Sequence, residues 1–169
     1  REITARVQEG TWQREAMIFL HGLGLGAAQS LKIWKRYDKQ SISLVSTNPY
    51  RLVNDVRGIG FAKADGIALS LGITADSPTR IAAAIVFCLR SSLDDGNVFL
   101  PRAELIKRLG KLLGNEIDVV SLLNELVDEA RLIEEEDAIY LPFAAETEAA
   151  VAEFFSTAGG SARTIVPPL

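Results

Sequence analysis

The sequence predicts a mainly α-helical chain with one small β-hairpin towards its C-terminal end. The helices are predicted by a unit of helix, glycine turn and helix that occurs twice, 34 residues apart, and by helix start and stop signals along the chain. The β-hairpin is predicted by two short apolar runs on either side of the acidic turn 134–137. Hydrophobic residues make up 48% and charged residues 24%, a globular balance that excludes a collagen-like or wholly disordered protein.

The repeated unit is built around a turn of glycine, apolar residue and glycine. Glycine lets the chain reverse tightly with its main-chain amides outward, and the helix that follows adds the positive end of its dipole. We therefore expect an anion site at each turn, with the apolar residue pointing inward and a small residue after the turn that lets two helices approach. The residues paired by the offset of 34 are Gly24 with Gly58, Leu25 with Ile59, Gly26 with Gly60, Ser30 with Ala64, Ile33 with Ile67, Ile18 with Leu52, and Phe19 with Val53.

Electric charge divides the chain into two unlike halves. Residues 1–73 carry ten lysines or arginines against six acidic residues, whereas residues 74–169 carry eight against sixteen. Only the N-terminal half is therefore suited to a polyanion. Its basic residues near the turns, which would pair with phosphates, are Lys32, Lys35, Arg36, Arg57 and Lys63.

Start and stop signals place the remaining elements. Serine followed by proline at Ser77 and Pro78 begins one helix, and Pro101 begins another. Gly96 and Gly114 end these two helices. The predicted elements are helices over about 78–93, 101–113, 118–131 and 144–157, and strands over 132–134 and 138–141.

Each repeated unit resembles the helix-hairpin-helix motif, and the two together resemble a tandem pair. The stretch GIGFAKADGIALSLGI at 58–73 is the more specific copy, and GLGLGAAQSLKIWKRY at 22–37 is a looser one. Such pairs typically bind the nucleic-acid backbone without reading its sequence. The residues expected to contact DNA are Gly24, Leu25, Gly26, Lys32, Lys35, Arg36, Arg57, Gly58, Ile59, Gly60 and Lys63.

A longer resemblance covers most of residues 19–141. The blocks FLHGLGLGAAQSLKIWKRY, NPYRLVNDVRGIGFAKADGIALSLGI and SPTRIAAAIVFCLRSSLDDGNVFLPRAELIKRLGKLLG follow one another in this order. In content and order they resemble the region before the motor of RecD-like ATP-dependent DNA helicases of the RecD/TraA, or exodeoxyribonuclease V alpha-like, group. Membership would imply a parent that uses ATP and Mg²⁺ to unwind DNA 5′ to 3′ in recombination and repair.

The chain itself lacks the phosphate-binding loop of such a motor. Its only Gly-Lys pair, Gly110 and Lys111, is followed by leucine and has no glycine at the required distance upstream. Because Arg1 is the first residue and Met17 the only methionine, we expect a piece of a longer polypeptide whose motor lies beyond Leu169. We expect a noncatalytic, cytoplasmic accessory region with no cofactor of its own and no membrane contact. Its partners would be DNA, the missing motor and a further repair protein.

Residues 97–142 resemble a winged helix, with a short strand, two helices and a two-stranded wing. The second helix of such a unit often enters a DNA groove. Here that helix and the wing tip are strongly acidic, which would weaken contact with phosphates, so packing or binding of a protein partner is favoured. The predicted organisation is a lead-in at 1–12, a tandem helix-hairpin-helix domain at 13–76, a connecting helix with a winged-helix-like unit at 77–142, a helix at 143–158 and a linker at 159–169.

Two other interpretations remain open. The hairpins could be packing elements of a scaffold that docks the motor or a repair partner through its acidic half. Alternatively, Gly22, Gly24 and Ala27 fit the dinucleotide-binding pattern G-x-G-x-x-A if residues 17–20 form a strand. The second alternative is disfavoured, because no clear acidic residue ends a second strand near residues 41–45 and the repeat is left unexplained.

Isolated residues add no further site. Cys88 is the only cysteine and His21 the only histidine, so a disulfide framework and a zinc site are excluded. Trp34 and Tyr37 lie at helical spacing among apolar neighbours, and we expect them to pack against these rather than stack on bases.

Overall fold

The computed structural model of the chain describes residues 2–114 and 116–144. These residues form eight α-helices, a 3₁₀ turn and a three-stranded antiparallel sheet, so the predicted mainly α-helical fold with a small β-hairpin is confirmed. None of these helices is long and apolar enough to cross a membrane. The predicted helix at 143–158 lies almost wholly, and the linker at 159–169 entirely, outside the described residues. The elements are α1 (Glu2–Gly22), α2 (Ala27–Tyr37), the 3₁₀ turn (Asp38–Gln40), α3 (Ser41–Thr47), α4 (Arg51–Asp55), α5 (Phe61–Ser70), α6 (Pro78–Asp94), β1 (Leu100–Pro101), α7 (Arg102–Leu113), α8 (Val119–Asp128), β2 (Ile133–Glu135) and β3 (Ala138–Tyr140).

The chain divides into two compact units, the N-terminal unit of residues 1–84 and the C-terminal unit of residues 85–169. Within the N-terminal unit, α1 packs against α2 and α3, and α4 packs against α5. We call α1, its turn and α2 the first copy, and α4, its turn and α5 the second copy. The most deeply buried apolar side chains of this unit are Ala16, Leu20, Ile33, Val45, Pro49, Leu52, Ala64, Ile67, Ala68 and Ala84.

The offset of 34 residues between the copies holds only from the turn onwards. Before the turn, the buried residues Ala16 and Leu20 of the first copy correspond to Leu52 and Val56 of the second, an offset of 36. The predicted pairings of Ile18 with Leu52 and of Phe19 with Val53, which both use the offset of 34, are therefore wrong. Ile18 is 67% exposed whereas Leu52 is buried. The first copy thus has two more residues than the second between the last buried residue before the turn, Leu20 or Val56, and the buried residue of the turn, Leu25 or Ile59.

Residues 17–22 are the last part of α1, and this helix removes the dinucleotide-binding interpretation, which required a strand there. Residues 41–45, where the dinucleotide-binding interpretation requires a second strand, belong to α3. Neither α3 nor the 3₁₀ turn before it was predicted, because serine, threonine and valine are weak helix formers. Packing stabilises α3 instead, since Ser41 and Val45 are buried.

A buried ion pair joins α5 to the first turn of α6. Asp65 accepts hydrogen bonds of 2.8 Å from Arg80 Nε, from Arg80 Nη2 and from the Tyr50 hydroxyl, and Arg80 Nη1 donates to the Ala75 carbonyl at 2.8 Å. Asp65 is 8% and Arg80 6% exposed. Burial and the hydrogen bond to Asp65 raise the pKa of Tyr50, and the hydrogen bond to Asp65 raises the pKa of Arg80. The cluster therefore fixes the second copy to the start of α6.

The C-terminal unit combines α7 and α8 with the small sheet. β3 lies between β1 and β2 and is antiparallel to both, with Ile139 opposite Leu100 and Glu134. The carboxylate of Asp118 caps α8 by accepting from the amides of Val120 and Ser121, and its hydrogen bond from the Ser121 hydroxyl lowers the pKa of Asp118. The predicted order of strand, helix, helix and β-hairpin is confirmed. The buried apolar side chains of the C-terminal unit include Leu89, Leu100, Leu105, Leu109, Leu123, Leu126 and Ile139.

Ser30→Ala is expected to stabilise the N-terminal unit. Ser30 is fully buried in α2, and its hydroxyl makes no hydrogen bond to a described residue, while Ala64 stands at the equivalent position of the second copy. Removing a buried unpaired hydroxyl should raise the free energy of unfolding by about 1 kcal/mol. Urea unfolding followed by tryptophan fluorescence measures the change, because Trp12 and Trp34 both lie in this unit.

The matched control for this prediction is the exposed Ser43, whose hydroxyl donates to the Gln40 carbonyl at 3.1 Å. Ser43→Ala should change the free energy of unfolding by no more than about 0.5 kcal/mol. A Ser30→Ala protein that is less stable than the unaltered chain would show that the buried hydroxyl has a partner in solution.

Candidate nucleic-acid interface

The glycines of the two turns have similar backbone conformations. Gly24 and Gly58 have φ of +76° and +96°, in the left-handed region that glycine adopts without steric cost. Gly26 (φ −71°, ψ 161°) and Gly60 (φ −88°, ψ 173°) are extended and directly precede α2 and α5. The sequence repeat is therefore also a repeat of main-chain conformation at both turns.

The apolar residue of each turn is buried, while the glycines are exposed. Leu25 and Ile59 are each 3% exposed, which confirms the predicted inward orientation. Their amides donate to the carbonyls of Leu20 and Val56, at 3.2 Å in both cases. Each turn is thus pinned to its leading helix. The exposed glycines are Gly24, Gly26, Gly58 and Gly60.

The helices that follow the turns begin without a side-chain cap. Glycine occupies the cap position of both α2 and α5, and neither helix has an acidic residue in its first turn. The first amides of a helix have no partner within the helix, and they form the positive end of its dipole. The first turns carry the small, exposed side chains of Ala27, Ala28 and Ala62, so an anion can approach these amides closely.

Two lysines cross from one copy to the turn of the other. Lys63 Nζ donates to the carbonyl of Gly24 at 2.6 Å, and Lys32 Nζ donates to the carbonyl of Arg57 at 3.1 Å. A Cβ atom built on Gly24 would lie 3.8 Å from Lys63 Nζ, and one built on Gly58 would lie 3.9 Å from Lys32 Nζ. Each turn therefore has an ammonium group of the opposite copy beside it.

Gln29, which is not among the residues predicted from the sequence, makes a third contact of this kind. Its Nε2 donates to the carbonyl of Gly58 at 3.3 Å. Gln29 and Lys63 are 34 residues apart, so they occupy equivalent positions, and Gly24 and Gly58 do as well. The offset of 34 therefore relates the contact of Gln29 with Gly58 to that of Lys63 with Gly24. The repeat predicts either contact only after the other is known.

The predicted basic residues fall into two groups. Lys32, Lys63 and Arg57 are exposed and lie at the turns. Lys35 and Arg36 are exposed too, but they lie in the last turn of α2, about 12 Å of helical rise from its first residue. The structure therefore brings three of the five basic residues to the turns.

Trp34 and Tyr37, which were expected to pack, are half-buried. The Tyr37 hydroxyl donates to Asp55 Oδ2 at 2.6 Å. Burial, together with this hydrogen bond, raises the pKa of Tyr37 to about 12. The bond ties the end of α2 to the end of α4 and so links the two copies away from the turns.

Acidic side chains dominate the exposed charge of the C-terminal unit. Arg102 is not free to offset them, because its Nη1 donates to both carboxylate oxygens of Glu134, at 2.9 and 2.8 Å, and its Nη2 donates to Asn124. This surface is unsuited to a polyanion. The exposed acidic residues among the described part of the unit are Asp94, Asp95, Glu116, Asp118, Glu125, Asp128, Glu129, Glu135, Glu136 and Asp137.

Other candidate chemistry is confined to single residues. Within residues 2–114 and 116–144, no group of three or more His, Cys, Asp or Glu side chains could hold a metal ion. Cys88 is buried, and burial raises the pKa of its thiol, which keeps it in the unreactive protonated form. His21 is exposed beside the first turn, and its carbonyl accepts from the Gly24 amide at 2.9 Å.

The chain is similar to known proteins over this same region. The sequence profile of a family described as the ATP-dependent RecD2 DNA helicase HHH domain matches residues 9–99, where HHH stands for helix-hairpin-helix. The ATP-dependent RecD2 DNA helicase of Deinococcus radiodurans is 31% identical over 96 residues, which are 56% of this chain and 13% of that relative. The chain thus spans about an eighth of the relative's length. Because the profile covers more than half of its residues, including both turns and the helices α2 to α6, the chain belongs to the RecD2 helicase HHH-domain family.

Proposed function

We propose that the N-terminal unit binds the backbone of DNA through its two glycine turns, as an accessory region of an ATP-dependent DNA helicase. The observation that carries the proposal is the pair of turns with exposed glycines of similar backbone conformation, each followed by an uncapped helix and each accompanied by a lysine. The family indicates which polyanion is bound, since the relative is named a DNA helicase.

The proposed contact does not read the base sequence. Main-chain amides and ammonium groups contact phosphates, which position a protein on DNA but carry no sequence information. Lys35 and Arg36, at the far end of α2, are proposed to contact the backbone farther along the strand. The residues proposed to form the DNA contact at the turns are Gly24, Leu25, Gly26, Lys32, Arg57, Gly58, Ile59, Gly60 and Lys63. Leu25 and Ile59 are proposed to position the turns rather than to touch a phosphate, because their side chains are buried and their amides already donate to Leu20 and Val56.

The chemistry of the whole protein is proposed to reside in another part of a longer polypeptide. A motor needs the loop G-x-x-x-x-G-K-[ST], which this sequence does not contain. ATP and Mg²⁺ would therefore bind to the motor, and unwinding 5′ to 3′ in recombination and repair would be its activity in the cytoplasm. The present chain would contribute grip on DNA without catalysis.

DNA binding by the 169-residue chain is expected to weaken steeply with salt. The affinity for fluorescent single-stranded and duplex DNA should fall linearly on a log-log plot against salt. For duplex the slope should be about −4.5 if Lys32, Lys35, Arg36, Arg57 and Lys63 each neutralise one phosphate, and about −3 if only the three cations at the turns do so. Two unrelated sequences of equal length should bind equally. Absent or salt-insensitive binding, or a strong preference for one sequence, would contradict the proposal.

A second function, docking of a protein partner, is favoured for residues 77–142, the proposed winged-helix-like unit. The observation behind it is the exposed acidic surface of this unit, which repels phosphates but suits a basic protein surface. The partner is proposed to be the motor or another repair protein. Capture of such a partner by a chain that does not bind DNA would make this the main function.

A further inference from the structure

The two helix-hairpin-helix copies do not carry separate sets of contacts at their turns. Lys63 belongs to the second copy but donates to the carbonyl of Gly24 in the first turn, at 2.6 Å. Lys32 belongs to the first copy but donates to the carbonyl of Arg57, the residue before the second turn, at 3.1 Å. Each turn therefore has its nearest ammonium group from the copy to which it does not belong.

From this exchange we infer that each phosphate site is composite, built from the amides of one copy and the lysine of the other. The inference rests on the proposed function, because the ligand is a phosphate of the DNA backbone. Lys63 would complete the site at Gly24 to Gly26, and Lys32 would complete the site at Gly58 to Gly60. Neither copy would then be an independent DNA-binding module.

The chemistry of the ammonium group allows both contacts at once. A lysine Nζ has three N–H donors, and the bond to a turn carbonyl uses one of them. Lys32 and Lys63 are exposed, so the remaining donors are open to a phosphate. The bond to the carbonyl also restricts the lysine side chain before DNA binds. Less rotational freedom is then lost on binding, so the side chain is preorganised.

The two crossing cations do not occupy equivalent positions of the repeat. Gln29 stands where Lys63 stands in the other copy, and it makes the equivalent contact with the Gly58 carbonyl at 3.3 Å without bringing a charge. The charge at the second turn comes from Lys32, at a position that the second copy fills with Gly66. Both turns thus receive one crossing cation from non-equivalent positions.

A double-mutant cycle on the 169-residue chain tests the composite sites. Gly26→Pro and Gly60→Pro each delete one turn amide at a φ close to proline's own of about −65°, and a Cβ at either position meets no atom within 4 Å. Lys63→Met removes the crossing cation of the first turn. Each single change is expected to weaken binding to duplex DNA about tenfold, which is the loss of one charge-assisted contact.

The cycle is read from how these losses combine. Lys63→Met with Gly26→Pro should weaken binding by little more than either change alone, because both damage one site, whereas Lys63→Met with Gly60→Pro should multiply to about 100-fold. Lys35→Met is the control, whose loss should multiply with both prolines. Independent losses in all pairs, or coupling of Lys63 with Gly60, would overturn the inference.

A measurement on the free protein keeps the inference testable if a proline variant does not fold. In ¹H–¹⁵N NMR spectra, Lys63→Met should shift the amide signal of Leu25, which follows the carbonyl that Lys63 contacts, more than that of Ile59. Unshifted Leu25 would overturn the crossing contact itself. If the unaltered chain shows this contact but binds no DNA, the proposed function is wrong, and the composite phosphate sites are wrong with it.

Discussion

Asp65→Ala is expected to lower the free energy of unfolding of the N-terminal unit by about 3–5 kcal/mol, because it leaves the buried guanidinium of Arg80 without its counter-ion. The Tyr50 hydroxyl loses its acceptor as well. Small domains are stable by only about 5–15 kcal/mol, so the variant should lie close to unfolding at room temperature. Urea unfolding followed by the fluorescence of Trp12 and Trp34 measures this loss in the N-terminal unit.

Two further variants separate the ion pair from a general effect of losing a carboxylate. Glu15→Ala removes an exposed carboxylate from α1 and should cost no more than about 0.5 kcal/mol. Asp65→Leu combined with Arg80→Met removes both buried charges, and it should be less destabilising than Asp65→Ala. If Asp65→Ala were as mild as Glu15→Ala, the pair would contribute nothing to stability.

Reversing both crossing lysines, with Lys32→Glu and Lys63→Glu together, is expected to weaken DNA binding about 100-fold or more at about 0.1 M salt. The double change removes two cations from the turns and places two anions beside the phosphates. Fluorescence anisotropy with labelled duplex DNA measures the loss. Because both side chains are exposed, the helical circular dichroism signal should be retained.

Two control proteins have the same change in net charge. Lys107→Glu with Lys111→Glu alters exposed residues of α7 in the C-terminal unit and should leave DNA affinity within about threefold. Lys35→Glu with Arg36→Glu should weaken binding less than the turn variant, because these residues lie at the far end of α2. Equal losses in all three proteins would mean that net charge, rather than the turns, governs binding.

Local signals were sufficient to predict much of this fold from the sequence. Proline and glycine punctuation places α6 at Pro78–Asp94, and the pattern of glycine, apolar residue and glycine predicts both turns with Leu25 and Ile59 inward. These features depend on backbone preferences of a few neighbouring residues, so a single sequence contains them. The family resemblance added the order of the blocks, and the profile match over residues 9–99 confirmed the family.

Contacts between distant residues could not be predicted in the same way. Lys63 and Gly24 are 39 residues apart, and nothing near Lys63 in the sequence indicates which carbonyl it meets. Asp65 did leave a signal, because a charge on the buried face of a helix requires a partner, but the sequence does not name Arg80. The helix α3 was not predicted because its residues individually favour other conformations. Its helical conformation depends on packing of Ser41 and Val45 in the core, which local sequence does not reveal.

The glycine caps of α2 and α5 leave the first amides of both helices open at a small cost in stability. A serine or aspartate at such a position satisfies the first amides with its own oxygen, yet it stabilises a helix over glycine by only a few tenths of a kcal/mol. Glycine at positions 26 and 60 therefore lowers the stability of each helix only slightly while it leaves those amide donors without a side-chain acceptor. Both helix ends can therefore stay open to a phosphate with little loss of stability.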